Sequence, residues 1–135
     1  MHMGRTDILH AYRHLYRSGL RAVHYSYPAR WEIRDILRDC FRSQPEAAFN
    51  ARRISNTLGF LEKARVYNGT EHKILKNLLH VKFWKNKGLN HYLMKQSNAD
   101  YAIATRRNVW RQYQATLTML NESLDICLQL GADIK

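Results

Sequence analysis

The stretch Asp7-Ile-Leu-His-Ala-Tyr-Arg-His-Leu-Tyr-Arg-Ser-Gly-Leu-Arg-Ala-Val23 decides the fold class. At 100° per residue its Ile8, Leu9, Tyr12, Leu15, Tyr16, Gly19, Leu20 and Val23 fall within an arc of about 120°. Arg13, Arg17 and Arg21, with His10 and His14, take the neighbouring arc. This spacing predicts an amphipathic helix with a basic flank over about Asp7–Tyr25, capped by Thr6 or Asp7. Gly19 stands at the centre of the apolar arc, where glycine costs about 1 kcal/mol relative to alanine. Two readings account for it: close packing of a second helix, or space for a ligand that threads between helices.

The same period continues outward. Pro28 restricts Tyr27 and suits the first turn of a second helix, 29–42, whose apolar face is Ala29, Ile33, Ile36, Leu37, Cys40 and Phe41. Arg30, Arg34, Arg38 and Arg42 recur every four residues beside that face, an arrangement whose mutual repulsion asks for a reason. Ser43-Gln-Pro-Glu46 reads as a capping box that starts a third helix running to Tyr67, with Ala47, Ala51, Ile54, Leu58 and Leu61 inward. Thr70 caps a fourth helix, 71–85. Residues 86–88 interrupt it, and the state of 89–98 stays open. A long fifth helix is predicted over 99–130, ended by Gly131. No alternating run of strand length occurs, so the chain reads as all-α.

The 135 residues carry 22 Lys and Arg against 11 Asp and Glu, with 45% hydrophobic residues, enough for one core. The excess lies in the first two thirds: residues 1–45 and 46–90 hold 17 of the basic side chains and 7 of the acidic ones. Such a balance asks for an acidic protein, a nucleic acid or an anionic surface as partner. No window approaches the roughly 18 apolar residues of a membrane span. Cys40 and Cys127 are too few for a metal site or a disulfide framework, which suits a reducing compartment, and Cys40 on the apolar face reads as a buried thiol. Asn68-Gly-Thr70 and Asn121-Glu-Ser123 match glycosylation sites only by chance in that setting.

Catalysis has no support in the pattern. There is no phosphate-binding glycine loop, no paired carboxylate setting and no zinc motif. His10 and His14 have metal-compatible spacing, but the arginines around them disfavour a cation. No catalytic or metal-ligating residue is assigned.

Leu15-Tyr16-Arg17, followed by Leu20-Arg21, resembles the signature of the LYR-motif (Complex 1 LYR-like) family. Ile33-Arg-Asp-Ile-Leu-Arg-Asp-Cys-Phe-Arg42 resembles that family's arginine-rich stretch with its phenylalanine, here Phe41. The resemblance covers roughly residues 8–80. It implies an antiparallel three-helix core, with the additional C-terminal helices, including the long one, as a departure. Residues 1–88 would form the core and 89–135 an extension packed on it or projecting from it. It also implies a non-enzymatic mitochondrial matrix adaptor that binds the mitochondrial acyl carrier protein. Tyr16, Arg17, Arg21, Arg38 and Arg42 would meet the carrier's acidic helix. Leu15, Gly19, Leu37 and Phe41 would line a tunnel for its acyl chain. The chain would have no cofactor of its own, the acyl-4′-phosphopantetheine belonging to the partner. The larger assembly served would be a mitochondrial ribosome or the respiratory or iron–sulfur machinery. Before Glu32 the only acid is Asp7, against five arginines, which agrees with mitochondrial import.

A second function class stands beside this one. Lys73, Lys76, Lys82, Lys85 and Lys87 interleave with Phe83, Trp84 and Tyr92, as phosphate contacts and stacking on irregular RNA require. Arg106, Arg107 and Arg111 lie near the start of the fifth helix, where the dipole disfavours them, and are expected to contact an anionic partner. On this alternative the chain is a direct RNA-binding mitochondrial ribosomal protein or ribosome assembly factor.

Overall fold

Four helices pack in a ring and a fifth lies against one side of it. The computed structural model describes residues 4–45, 49–87 and 100–129, with the side chains of all but 84–87, 100–103 and 106. The helices are α1 (Arg5–Ala22), α2 (Ala29–Ser43), α3 (Ala51–Val66), α4 (Thr70–Lys87) and α5 (Asp100–Leu124). The all-α expectation is met, and there is no strand among the described residues. No helix among them is long and apolar enough to cross a membrane.

Contacts run between α1 and α2, α1 and α3, α3 and α4, and α2 and α4. The order around the ring is therefore α1, α2, α4, α3, and the α2–α3 connection spans a diagonal. Tyr12 meets Phe41 and Gly19 meets Ile33, so α1 and α2 are antiparallel. Lys82 beside Asp39 makes α2 and α4 run the same way. The core of the ring joins Leu15, Ala22, Ile33, Ile36, Leu61, Ala64, Leu75 and Leu79. A second cluster joins Phe60 and Leu78 to Leu117 of α5 and to Ile126 and Leu128 beyond it. The C-terminal segment thus packs on the core through α3 and α4. Val109 and Leu124 of α5 are 52% and 48% exposed.

Several boundaries differ from the pattern reading. Helix α1 starts from Gly4 rather than from Thr6 or Asp7 and ends at Ala22, short of Tyr25, and α4 includes Thr70 and runs through Asn86 to Lys87, past the expected break. Ser43 does not start α3; its hydroxyl donates to the Asp39 carbonyl at 2.6 Å and it ends α2. The cap of α3 is Asn50, whose Oδ1 accepts from the amides of Arg52 at 3.1 Å and Arg53 at 3.3 Å. Asn satisfies those first-turn donors as well as Ser does, and Phe49 before it begins no helical period. Glu46 and Ala47 lie outside the described residues. Helix α5 stops at Leu124, short of the expected 130, because Asp125 turns into the left-handed region at φ 55°. Asp tolerates that region better than most residues with a Cβ. The proposed stop at Gly131 lies outside the described residues.

Gly19 is resolved in favour of close packing. A Cβ built there would stand 2.9 Å from Cγ2 of Ile33, a β-branched methyl that cannot swing away. The site over Gly19 is filled by Ile33, so Gly19 does not widen a tunnel. Gly19→Val should lower the unfolding free energy by about 2 kcal/mol through overpacking. Gly19→Ala should be tolerated about 1 kcal/mol better in an Ile33→Ala background than alone. Urea denaturation of the double-mutant cycle measures this; equal costs in both backgrounds would exclude the contact.

Candidate functional site: an apolar cavity under a C-terminal strap

The α1–α2 seam is tight at Gly19 and carries aromatic rings toward the start of α1. There Phe41 meets Tyr12 edge-on at 5.3 Å, and Tyr12 stacks on Tyr16 with centroids 6.3 Å apart. These rings sit beside a cavity of about 390 Å³ bounded by Ile8, Leu15, Ile36, Leu37, Cys40 and Phe41. The diagonal connection adds Gln44, Pro45, Phe49 and Asn50, and α3 adds Arg53 and Ile54. Its volume falls in the small-ligand range of roughly 300–1,000 Å³.

The remaining wall is the chain after α5. Cys127 and Gln129 face the cavity while Ile126 and Leu128 point into the second cluster, an alternation characteristic of extended backbone. Polar ties hold this strap. Asp125 is engaged by both Arg52 and Arg53, the latter at 3.2 Å, and its carbonyl accepts from Asn56 at 2.9 Å. Thr57 Oγ1 accepts from the Cys127 amide at 3.0 Å and lies 3.2 Å from its thiol. Asn121 Nδ2 donates to the Leu128 carbonyl at 2.8 Å and its Oδ1 accepts from the Leu128 amide at 2.9 Å. Cys40 Sγ donates to Gln129 Oε1 at 3.0 Å. Both cysteines are free thiols and half-buried, and Cys40, read as buried from the sequence, lines the cavity.

Leu15, Leu37 and Phe41, three of the four residues expected along a tunnel, line this cavity; Gly19 does not. Leu37 and Phe41 share two turns of α2 with Arg38 and Arg42, which are exposed and make no ion pair among the described residues. Arg17 is exposed as well, and Tyr16 is half-buried. Arg21 departs from the group, its charge acting on Glu62 of α3. The sequence reading missed Ile8, Phe49, Ile54, Cys127 and Gln129, which the fold brings together from distant segments.

The lysine surface on α4 is only partly as expected. Lys73 and Lys76 are exposed. Lys82 is a correction: it is 2% exposed, with Nζ 4.0 Å from Asp39 of α2. Its four-carbon stem packs in the α2–α4 seam, so it presents no charge to a surface partner. Arg107 and Arg111 are exposed on α5. The side chains of Trp84, Lys85, Lys87 and Arg106, and all of Tyr92, lie outside the described residues.

A comparison with curated proteins adds a relationship. The chain is 38% identical over 87 residues to the UPF0593 mitochondrial protein C806.05 of Schizosaccharomyces pombe, covering 61% of this chain and 70% of that protein. The chain belongs to this UPF0593 family. The relative is, by its name, a mitochondrial protein. No family model matches the chain, and no solved structure matches it.

The strap is sensitive to acid. The Arg52 hydrogen bond above all holds the Asp125 carboxyl below the usual aspartate value; burial, the next effect in size, opposes it, and the charges of Arg52 and Arg53 add to the lowering. A depressed folded-state value means the contribution is complete above the ordinary Asp value near 3.9 and is lost as pH falls through the lowered one. Burial pushes the Cys127 thiol up. Asp125→Asn should therefore speed labelling of Cys127 by a thiol reagent at neutral pH several-fold, measured against the parent by mass spectrometry. Unchanged labelling would show that Asp125 does not hold the strap.

Proposed function

We propose that this protein is a non-enzymatic adaptor of the mitochondrial matrix that receives an acylated acyl carrier protein and attaches it to a larger assembly. The observation that carries this reading is the apolar cavity bounded by Leu15, Leu37 and Phe41, with Arg38 and Arg42 exposed on the same turns of α2. An acyl chain is apolar along its length and would gain about 0.8 kcal/mol per buried methylene. A carrier with an acidic docking helix would meet the arginines through forked, charge-assisted hydrogen bonds. The 4′-phosphopantetheine arm belongs to the carrier, and the chain needs no cofactor of its own. Membership of the UPF0593 family and the mitochondrial name of the relative support the compartment.

Two variants separate docking from acyl insertion. Arg38→Glu with Arg42→Glu should abolish co-purification of the carrier while the melting temperature stays within a few degrees of the parent. Cys40→Phe, which fills part of the cavity, should leave binding of the unacylated carrier intact and remove the gain that acylation brings, about tenfold or more in affinity. Isothermal titration with both forms of the carrier reads the difference. Carrier binding that ignores both changes would place the docking face elsewhere.

A further inference from the structure

Five of the nine large hydrophobic side chains left exposed among the described residues gather at one end of the bundle, beyond Gly19. Tyr25 and Tyr27 lie on the α1–α2 turn, Trp31 in the first turn of α2, and Val66 and Tyr67 where α3 ends. The two turns are neighbours. His72 Nδ1, near the start of α4, is 3.2 Å from the Ala64 carbonyl of α3. Tyr27 and His72 both line a second cavity of about 370 Å³, which shares no lining residue with the first. Tyr27 and Tyr67 are 75% and 67% exposed, so the protein itself walls little of either ring. Large rings left in water at this density mark a surface that meets a partner.

Charge and ring chemistry select that partner. Residues 20–34 and 62–76 hold seven Lys and Arg against three acids. Of the acids, Glu32 is buried, Glu62 is engaged by Arg65, and Glu71 lies in the first turn of α4, where the helix dipole favours it. Arg34 reaches Asp35 at 3.3 Å, while Arg30, Lys63, Lys73 and Lys76 are exposed, so the end presents positive charge. The partner is anionic. A nucleic acid would stack its bases on open ring faces, yet the guanidinium groups of Arg30 and Arg34 already lie over the Trp31 ring, 5.1 and 4.7 Å from its centre. A protein partner would have to wall in rings on two turns at once, and Lys is depleted in such contacts. The headgroup layer of a bilayer closes around any shape. It takes tyrosine and tryptophan at its own depth, the ring in the apolar boundary and the hydroxyl or indole N–H in water. It also attracts lysines and arginines to anionic headgroups without asking for fixed geometry. No described helix can cross a membrane, so the contact is with its surface.

We propose that this end of the bundle docks on an anionic phospholipid membrane, with Tyr25, Tyr27, Trp31 and Tyr67 at headgroup depth and Arg30, Lys73 and Lys76 against the phosphates. The docking end lies across the Gly19 contact from the acyl cavity, and the proposal does not depend on the adaptor reading.

The test is flotation of the full chain with vesicles of phosphatidylcholine, alone or with about one third phosphatidylglycerol, at about 0.15 M salt. The anionic vesicles should bind it about tenfold more tightly or better. Tyr27→Ala with Tyr67→Ala, both exposed positions, should weaken that binding about fivefold or more without lowering the melting temperature. Lys73→Glu with Lys76→Glu should weaken it about tenfold or more. Arg38→Glu with Arg42→Glu makes the same change in net charge away from this end and should cost less than about threefold, which separates a docking site from general attraction to a basic protein. Carrier binding by the tyrosine variant should match the parent, so that failure here is distinct from failure of the adaptor reading. Equal binding to neutral and anionic vesicles, equal losses in the two glutamate pairs, or indifference to the tyrosine changes would each overturn the proposal. So would binding of a labelled single-stranded RNA, or of an acidic protein, by this end without vesicle binding.

Discussion

The contact of Gly19 with Ile33 organises the molecule. With no Cβ on α1 at that point, the Ile33 side chain seats directly against the α1 backbone and draws α2 in. A Cβ would stand 2.9 Å from its Cγ2, closer than packed atoms settle. Toward the start of α1 the seam is filled by Tyr12 and Phe41, which meet edge-on. Toward the turn the chain reverses over 23–28. One cavity lies on each side, and the two share no residue. Gly19 weakens its own helix, but it permits the close seat of Ile33 against α1.

The cavity on the α1 side depends on a second constraint, the strap after α5. Its apolar residues and its polar ties act on opposite faces. Ile126 and Leu128 are buried against Phe60, Leu78 and Leu117, while Cys127 and Gln129 close the cavity. Hydrogen bonds with the side chains of Asn121, Thr57 and Asn56 satisfy a backbone that has left the helix and would otherwise carry unpaired polar groups. Asn121 belongs to a sequence that matches a glycosylation site, yet its amide is spent on the backbone of Leu128. The strap makes the C-terminal segment part of the core, although the pattern of residues 8–80 alone resembles a shorter protein.

The positive charge is divided as the cavities are. Arg38 and Arg42 are exposed on the turns of α2 that carry Leu37 and Phe41, while Arg30 and Arg34 are gathered around Trp31 toward the turn. The evenly spaced arginine stripe of α2 is therefore two half-stripes with different surroundings. Lys82, from the run on α4, is withdrawn into the α2–α4 seam beside Asp39. A buried ammonium with a partner specifies the register of two helices more than it adds stability.

The resemblance to the LYR-motif family, and not the helical period, grouped Leu15, Leu37 and Phe41. The sequence by itself determined the all-α class, the extents of α1, α2 and α4 to within a few residues, and the apolar arcs of α1 and α2. These follow from a 3.6-residue period and from local turn chemistry, which are written in adjacent residues. Only the tertiary structure decided whether Gly19 leaves a gap or is filled, because that depends on which residue of another helix faces it. It alone decided that Lys82 is buried, since periodicity cannot say which seam a charged side chain enters. It also ended α5 at Asp125 and turned the next residues back along α3. The choice there rests on Arg52, Arg53, Asn56 and Thr57, about seventy residues away in the chain, and no local pattern records a partner at that distance.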